Sequence, residues 1–175
     1  MLRALSAERT TVLLDGRARK LDDDINTDYI IASTRKRETV DAKVLKEYLL
    51  ETLDPAFAAS VREGDLLVAG RNFGCGSAME IAATVILAAG IKAVVAQSFS
   101  RTFYRNAVNN GLMPIECDTA SIADGDRPSI GLRGEAVEVT VSSNGEVLVA
   151  APIPPLMREI MHSGGMVEFM RKRQR

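Results

Sequence analysis

The feature that most constrains this chain is a regular alternation across residues 65–116. Asp65-Leu66-Leu67-Val68-Ala69 is a short apolar run, the pattern of a strand buried on both faces. Residues 78–89 contain no Gly or Pro and are rich in Ala, Met, Ile and Leu, which predicts a helix, with Gly90 as its stop. Ala93–Ala96 reads as a second strand, Ser100–Asn110 as a second helix ended by Gly111, and Met113–Glu116 as a third strand. Strands separated by helices pair in parallel, so the expectation is an α/β chain with a partly parallel sheet.

The flanks are less regular. Thr11–Leu14 predicts a short strand, Val40–Leu50 a helix, and Asp54-Pro55 the start of a short helix with Pro at its first position. Farther on, Ala136–Val141 and Glu146–Ala150 read as a hairpin turning at Ser143-Asn144-Gly145. Pro154-Pro155 then opens a helical tail ending in Arg171-Lys172-Arg173-Gln174-Arg175. No repeat or low-complexity linker interrupts the chain, so residues 1–175 read as one unit with a β-rich appendage.

Between the first strand and first helix of the alternation lies Gly70-Arg71-Asn72-Phe73-Gly74-Cys75-Gly76-Ser77. A loop at that junction leaves unpaired backbone N–H groups facing a space without intruding side chains, a setting for an anion or a developing negative charge. Ser77-Ala78-Met79-Glu80 also fits a capping box, in which the serine simply closes the helix N-terminus. The two roles are compatible, but a cap needs none of the three glycines in residues 70–76, each of which costs backbone entropy.

Composition removes several functional classes. The formal net charge is −1, with no basic excess to suggest nucleic acid, and no run approaches membrane-spanning length. The N-terminus, Met1-Leu2-Arg3-Ala4-Leu5-Ser6, lacks the apolar core of a signal peptide, making the cytoplasm the default location. Cys75 and Cys117 are distant in sequence, and His162 is the one histidine. The chain therefore has too few soft ligands to build a metal cluster by itself. A Ser–His relay would have to run through His162 in the predicted terminal helix.

Three motifs in order define a resemblance. They are Asp24-Ile25-Asn26-Thr27-Asp28; the glycine loop through Ser77; and Ser98-Phe99-Ser100-Arg101-Thr102-Phe103-Tyr104-Arg105-Asn106-Ala107 with Asn110-Gly111-Leu112. Together they resemble the small subunit of 3-isopropylmalate dehydratase, the separately encoded swivel domain of the aconitase superfamily. The resemblance implies a three-layer β/β/α fold with a C-terminal hairpin and helical tail. It also implies a larger partner carrying a [4Fe–4S] cluster, with no metal bound by this chain alone. The serine of the family's loop, matched by Ser77, would be the catalytic base. Gly76 would lie beside the substrate, and Gly74, Asn72 and Cys75 would shape the loop.

This chain departs from the family pattern in two places. The loop usually continues Ser-Ser-Arg-Glu-His, but here it runs Ser77-Ala78-Met79-Glu80-Ile81. The arginine's guanidinium, which would grip a substrate carboxylate, is replaced by the Met79 thioether, an apolar surface. The segment that relatives write Pro-Ala-Arg-Tyr-Leu is Ala32-Ser33-Thr34-Arg35-Lys36-Arg37, and Arg37 falls where a carboxylate-binding arginine occurs in relatives acting on tricarboxylates. Arg35, Arg37, Met79 and Gly76 are thus the substrate-binding candidates. A solvated charge run or subunit contact is the alternative for the basic triplet, and the preferred reading of Lys36.

Other polar residues carry plainer expectations. Asp24, Asn26 and Asp28 read as Asx turns rather than a cation site. Arg101 and Arg105 share a helical face and read as a clamp on neighbouring loops. Cys75, although near a helix N-terminus, reads as a small packing residue.

The resulting expectation is a hydro-lyase small subunit acting on a small hydroxy acid, with 3-isopropylmalate of leucine biosynthesis as the first candidate. Dimethylmalate, citramalate and a homocitrate-type acid are alternatives. A non-catalytic regulatory subunit is the competing class. An independent phosphate-binding enzyme is disfavoured because no Gly-Lys-Ser/Thr follows the glycines.

Overall fold

The computed structural model describes residues 10–174. Its strands are β1 (Thr11–Asp15), β2 (Ala18–Lys20), β3 (Leu66–Ala69), β4 (Ala93–Ala96), β5 (Met113–Glu116), β6 (Ser129–Arg133), β7 (Ala136–Thr140) and β8 (Val147–Val149). Helices are α1 (Thr27–Ile30), α2 (Ala42–Leu45), α3 (Phe57–Ser60), α4 (Glu80–Ala88), α5 (Arg101–Asn110), α6 (Pro155–His162) and α7 (Met166–Arg173). The alternation predicted for residues 65–116 is present as β3-α4-β4-α5-β5.

Two four-stranded sheets result. One, in the order β2-β3-β4-β5, is parallel throughout; the other, β1-β6-β7-β8, is antiparallel. The parallel strands explain their own sequences. Leu67, Ala69, Val94 and Ala96 belong to a core shared with α1 to α5, while Leu66, Val68, Ala93 and Val95 share a second core with Ile130, Val137 and Val139 of the other sheet. Both faces are dry, so the strands are apolar runs with no polar alternation. Helices, parallel sheet and antiparallel sheet form the three layers. Ile160, Met161 and Phe169 of α6 and α7 join the second core.

The structure corrects the outline in several places. The hairpin is no appendage: β7 and β8 join β6 and β1, and the whole sheet covers the parallel one. β2 and β6 lie outside the predicted strands. β2 reads Ala-Arg-Lys, without strand-like composition, and enters the sheet by backbone pairing to β3. In β6, Gly131 admits the neighbouring strand, since a Cβ there would lie 3.0 Å from the Thr11 carbonyl oxygen. The helix expected over Val40–Leu50 is only α2 followed by a 3₁₀ turn at Lys46–Tyr48. Leu50 then takes φ 57° and donates its N–H to Ile30 O at 3.0 Å, so a tertiary bond ends the helix early. Pro55 precedes α3 rather than opening it, in a turn where Asp54 accepts the Ala56 N–H at 2.9 Å.

Candidate functional site

The site lies where parallel strands end. Chain leaving β2, β3 and β4 at their C-terminal ends enters three loops, residues 21–26, 70–79 and 97–100. Crevices at this edge of a parallel sheet are where α/β folds bind ligands. Main-chain bonds lace the loops together. Asp24 N donates to Arg71 O at 2.8 Å, Gly74 N to Ile25 O at 2.8 Å and Thr27 N to Cys75 O at 2.8 Å. On the other side Phe73 N donates to Ser98 O at 3.0 Å and Ser100 N to Phe73 O at 2.9 Å.

Two glycines are required by that lacing. Gly74 has φ +76°, and a Cβ on it would sit within 2.7 Å of three side-chain carbons of Phe103. Gly76 has φ +91°, and its Cβ would strike the Asn26 amide at a similar distance. Neither space nor backbone conformation admits a larger residue. Asn72 also takes a left-handed conformation, φ 60°, stabilised by its side-chain amide on Asp24 Oδ1 at 2.7 Å. Beneath the loop, Phe73 meets Phe103 edge to face with centroids 5.0 Å apart, and Phe99 stacks on Phe103 at 6.3 Å. The motif Ser98–Ala107 thus supplies a rigid aromatic floor.

Ser77 emerges from this frame with its hydroxyl exposed and, among the described residues, without a hydrogen-bond partner. Its carbonyl is fixed by the buried Thr27 hydroxyl at 2.9 Å. The capping-box reading does not hold. Met79, with φ −120° and ψ 105°, is the N-cap of α4 and gives no side-chain cap bond. Glu80 faces Asn110 of α5 at 3.2 Å instead of reaching back to Ser77. The serine oxygen is therefore free, three residues ahead of the first residue of α4.

The basic loop divides its three cations. Arg35 forms a two-pronged bond to Glu51, 2.8 Å and 2.9 Å, and lies over the Tyr48 ring at 3.9 Å. That geometry engages its guanidinium in holding the loop, in contrast to the substrate-binding role expected for it. Arg37 is exposed and has no partner among the described residues. Lys36, expected to be solvated, is half-buried and places its Nζ against Met79 Sδ. Met79 is itself 6% exposed and packs into the core shared with α1 to α5, two residues from the serine. Neither the Lys36 contact nor the Thr27 support was signalled by spacing, since both join segments distant in sequence.

The remaining candidates differ in what they touch. Asn26 caps α1 by accepting Asp28 N at 2.9 Å, the Asx geometry anticipated for the acidic loop. Arg101 and Arg105 are exposed and form no ion pair among the described residues, so the clamp expected of them is not seen. Burial, with Asp24 nearby, pushes the Cys75 thiol up, away from the reactive thiolate. Cys117 lies in the core between the two sheets, its thiol pushed up to about 11 by burial. His162 is on α6, beside β1 and β6 rather than the glycine loop. Two protonated thiols, one in the glycine loop and one buried in the core between the sheets, with a histidine on α6, do not fit the ligand set of an iron–sulfur cluster.

A serine on a glycine-rich loop at the C-terminal edge of a swivel-like β/β/α unit defines a class. The chain belongs to the aconitase C-terminal domain family, whose model matches residues 15–120. Within it the chain is a small subunit of the 3-isopropylmalate dehydratase and homoaconitase type, an aconitase-family hydro-lyase. It is 42% identical to the methanogen homoaconitase small subunit of Methanocaldococcus jannaschii, over 93% of this chain and 94% of that one. It is 44% identical to a 3-isopropylmalate dehydratase small subunit of Nitratidesulfovibrio vulgaris, over 90% and 94%. A crystal structure of 3-isopropylmalate dehydratase from Methanocaldococcus jannaschii matches with TM-score 0.86 and 43% identity, covering 92% of this chain and 95% of that one. Among the described residues no helix is long and apolar enough to cross a membrane.

Proposed function

We propose that this chain is the serine-bearing subunit of a 3-isopropylmalate dehydratase, interconverting 3- and 2-isopropylmalate in leucine biosynthesis, with residues 1–175 acting as one swivel unit. The observation that carries the reading is the Ser77 hydroxyl, unengaged by any cap and held at a fixed point between the glycine loop and α4. Ser77 Oγ would accept the proton α to a substrate carboxylate. The developing charge on oxygen is moderated by amides of the loop and the first turn of α4. Met79 offers apolar contact to a branched alkyl group, and the unpaired Arg37 offers a charge to a carboxylate.

The chain's own thiols do not fit a cluster, so the proposal requires a large subunit that carries [4Fe–4S]. That cluster, when present, supplies a Lewis-acidic iron for the departing hydroxyl. This chain's residues position the acid, hold the proton and, on closure against the partner, exclude water.

A homocitrate-type substrate is the second reading, favoured by the relative named a homoaconitase small subunit and by the basic turn at Arg35–Arg37. The test is anaerobic co-expression with the large subunit and assay of isopropylmalate, citramalate, dimethylmalate, homocitrate and citrate by absorbance of their unsaturated products. Turnover of isopropylmalate first among the five supports the proposal. Preference for homocitrate transfers it to the second reading. Silence on all five from a stable complex with an intact cluster favours a non-catalytic subunit.

A further inference from the structure

We propose that the face of α5 carrying Arg101 and Arg105 is a docking surface for the cluster-bearing large subunit, where it receives carboxylates of that partner; the inference rests on the hydro-lyase reading above. The two arginines lie one turn apart, both exposed and, among the described residues, without an ion pair. Exposure alone does not leave an arginine unpaired in this chain. Arg71 is 73% exposed and still holds Asp23 at 3.0 Å, and Arg133, 51% exposed, holds Glu138 at 3.3 Å. Glu80, on the helix packed beside α5, is turned to Asn110 at 3.2 Å instead.

The placement works against the helix itself. Arg101 is the first residue of α5, where the helix dipole disfavours a cation, and no acidic residue offsets it in the first turn. Arg105, four residues on, adds like-charge repulsion along the same face. The last turn, where a cation would stabilise the helix, has no basic residue. Two arginines at unfavourable positions, with no internal partner, are accounted for by an external one.

The frame under Ser77 sets where that face points. Ser100, the N-cap of α5, donates its N–H to Phe73 O at 2.9 Å, so the helix starts on the glycine loop. Phe103 and Ala107, on the other side of α5, are buried in the core shared with α1 to α4. The arginines thus turn outward at the edge of the sheet from which Ser77 emerges. A subunit that brings its cluster to Ser77 covers this edge, and the arginine face continues that contact. A guanidinium held on a packed helix suits the planar fork of a carboxylate.

The experiment uses the complex co-expressed anaerobically with the large subunit. It reads the dissociation constant by gel filtration at falling concentration, the thermal midpoint, and steady-state kinetics at saturating partner. Arg101→Glu/Arg105→Glu is compared with Arg101→Lys/Arg105→Lys, Ser77→Ala and Arg158→Glu. Arg158 controls for net charge: it lies on α6 near Lys92 and Met113, at the opposite end of the parallel sheet. The charge reversal is expected to raise the Kd about a hundredfold or more, with the thermal midpoint unchanged and kcat at saturating partner within about threefold. The lysine pair, which keeps the charge, stays within about tenfold of the wild-type Kd, and Arg158→Glu within about threefold.

Wild-type association in the reversal variant overturns the proposal. So does an equal loss in Arg158→Glu, since net charge rather than this face would then matter. A lowered thermal midpoint makes the pair structural, and a raised KM with association intact moves it to the substrate; either result overturns it too. Failure of the underlying reading looks different. In that case the wild-type chain holds no large subunit, the complex turns over nothing, or Ser77→Ala stays active.

Discussion

The two ends of the parallel sheet treat charge in opposite ways. At the N-terminal end, just before β3, the Asp65 side chain is 4% exposed and is surrounded by donors: Arg17 at 3.0 Å, Arg19 at 3.4 Å and the Arg62 amide at 3.1 Å. Arg19 also covers the Phe57 ring at 4.4 Å. Burial alone would raise the carboxyl's pKa, but the Arg17 bond and the Arg62 amide outweigh it and hold Asp65 below the usual carboxylate range. At the C-terminal end closure is partial: Arg71 pairs with Asp23 at 3.0 Å and Arg35 with Glu51 at 2.8 Å, while the Ser77 hydroxyl and the exposed Arg37 have no partner among the described residues. One end closes its buried charge completely; the other pairs some of its charges and leaves others unpaired.

Substitutions can break or sharpen that contrast. Ser77→Ala should have the largest effect, a kcat loss on the order of a thousandfold, with thermal midpoint and subunit association unchanged. A variant with near-normal turnover would place the chemistry elsewhere. Gly74→Ala comes next, because it forces a methyl group into Phe103 from a left-handed backbone position. A destabilisation of about 3 kcal/mol is expected in urea denaturation.

Asp65→Asn tests the closed end. Arg17 is 35% exposed and regains water when its partner is lost, so the cost should be about 2 kcal/mol, below the usual range for a buried pair. The sign of its pH dependence follows from the lowered pKa. The carboxylate's contribution is complete above its ordinary value of 3.8 and is lost as pH falls through the lower folded value. The gap between wild type and Asp65→Asn should therefore be flat from pH 7 to pH 5, as read by denaturant midpoints, and close only in strong acid. Arg37→Ala should be the mildest, within about 0.5 kcal/mol of wild-type stability. Its effect should appear in relative KM values for homocitrate and isopropylmalate, and equal values for both would remove Arg37 from recognition.

How much of this was legible in the sequence depended on whether the cause was local. β4 and β5 lie where apolar runs and glycine stops put them, because both faces of those strands are buried and both helices end in ordinary ways. β2 was invisible, since Ala-Arg-Lys becomes a strand only because β3 offers it a free edge. The glycine loop and Ser77 were conspicuous, but their surroundings were not. A capping box is a local pattern, and at Ser77 it lost to a tertiary bond from Thr27, which fixes the serine carbonyl and leaves the helix to begin at Glu80. The surroundings of Arg35, Lys36 and Arg37 were unreadable for the same reason. A triplet of like charges says nothing about which one meets Glu51, which meets Met79 and which meets water.

The turn that carries this triplet has a modular character. Its backbone bonds are nearly all internal, Arg35 N to Ala32 O, Arg37 N to Thr34 O and Glu38 N to Arg35 O, whereas the loops under Ser77 are bonded to one another. Selection can therefore rewrite the short segment between Ala32 and Thr39 without touching the scaffold that aims the serine. On the proposed function, a change of substrate could then come from this one short segment while the frame around Ser77 is kept.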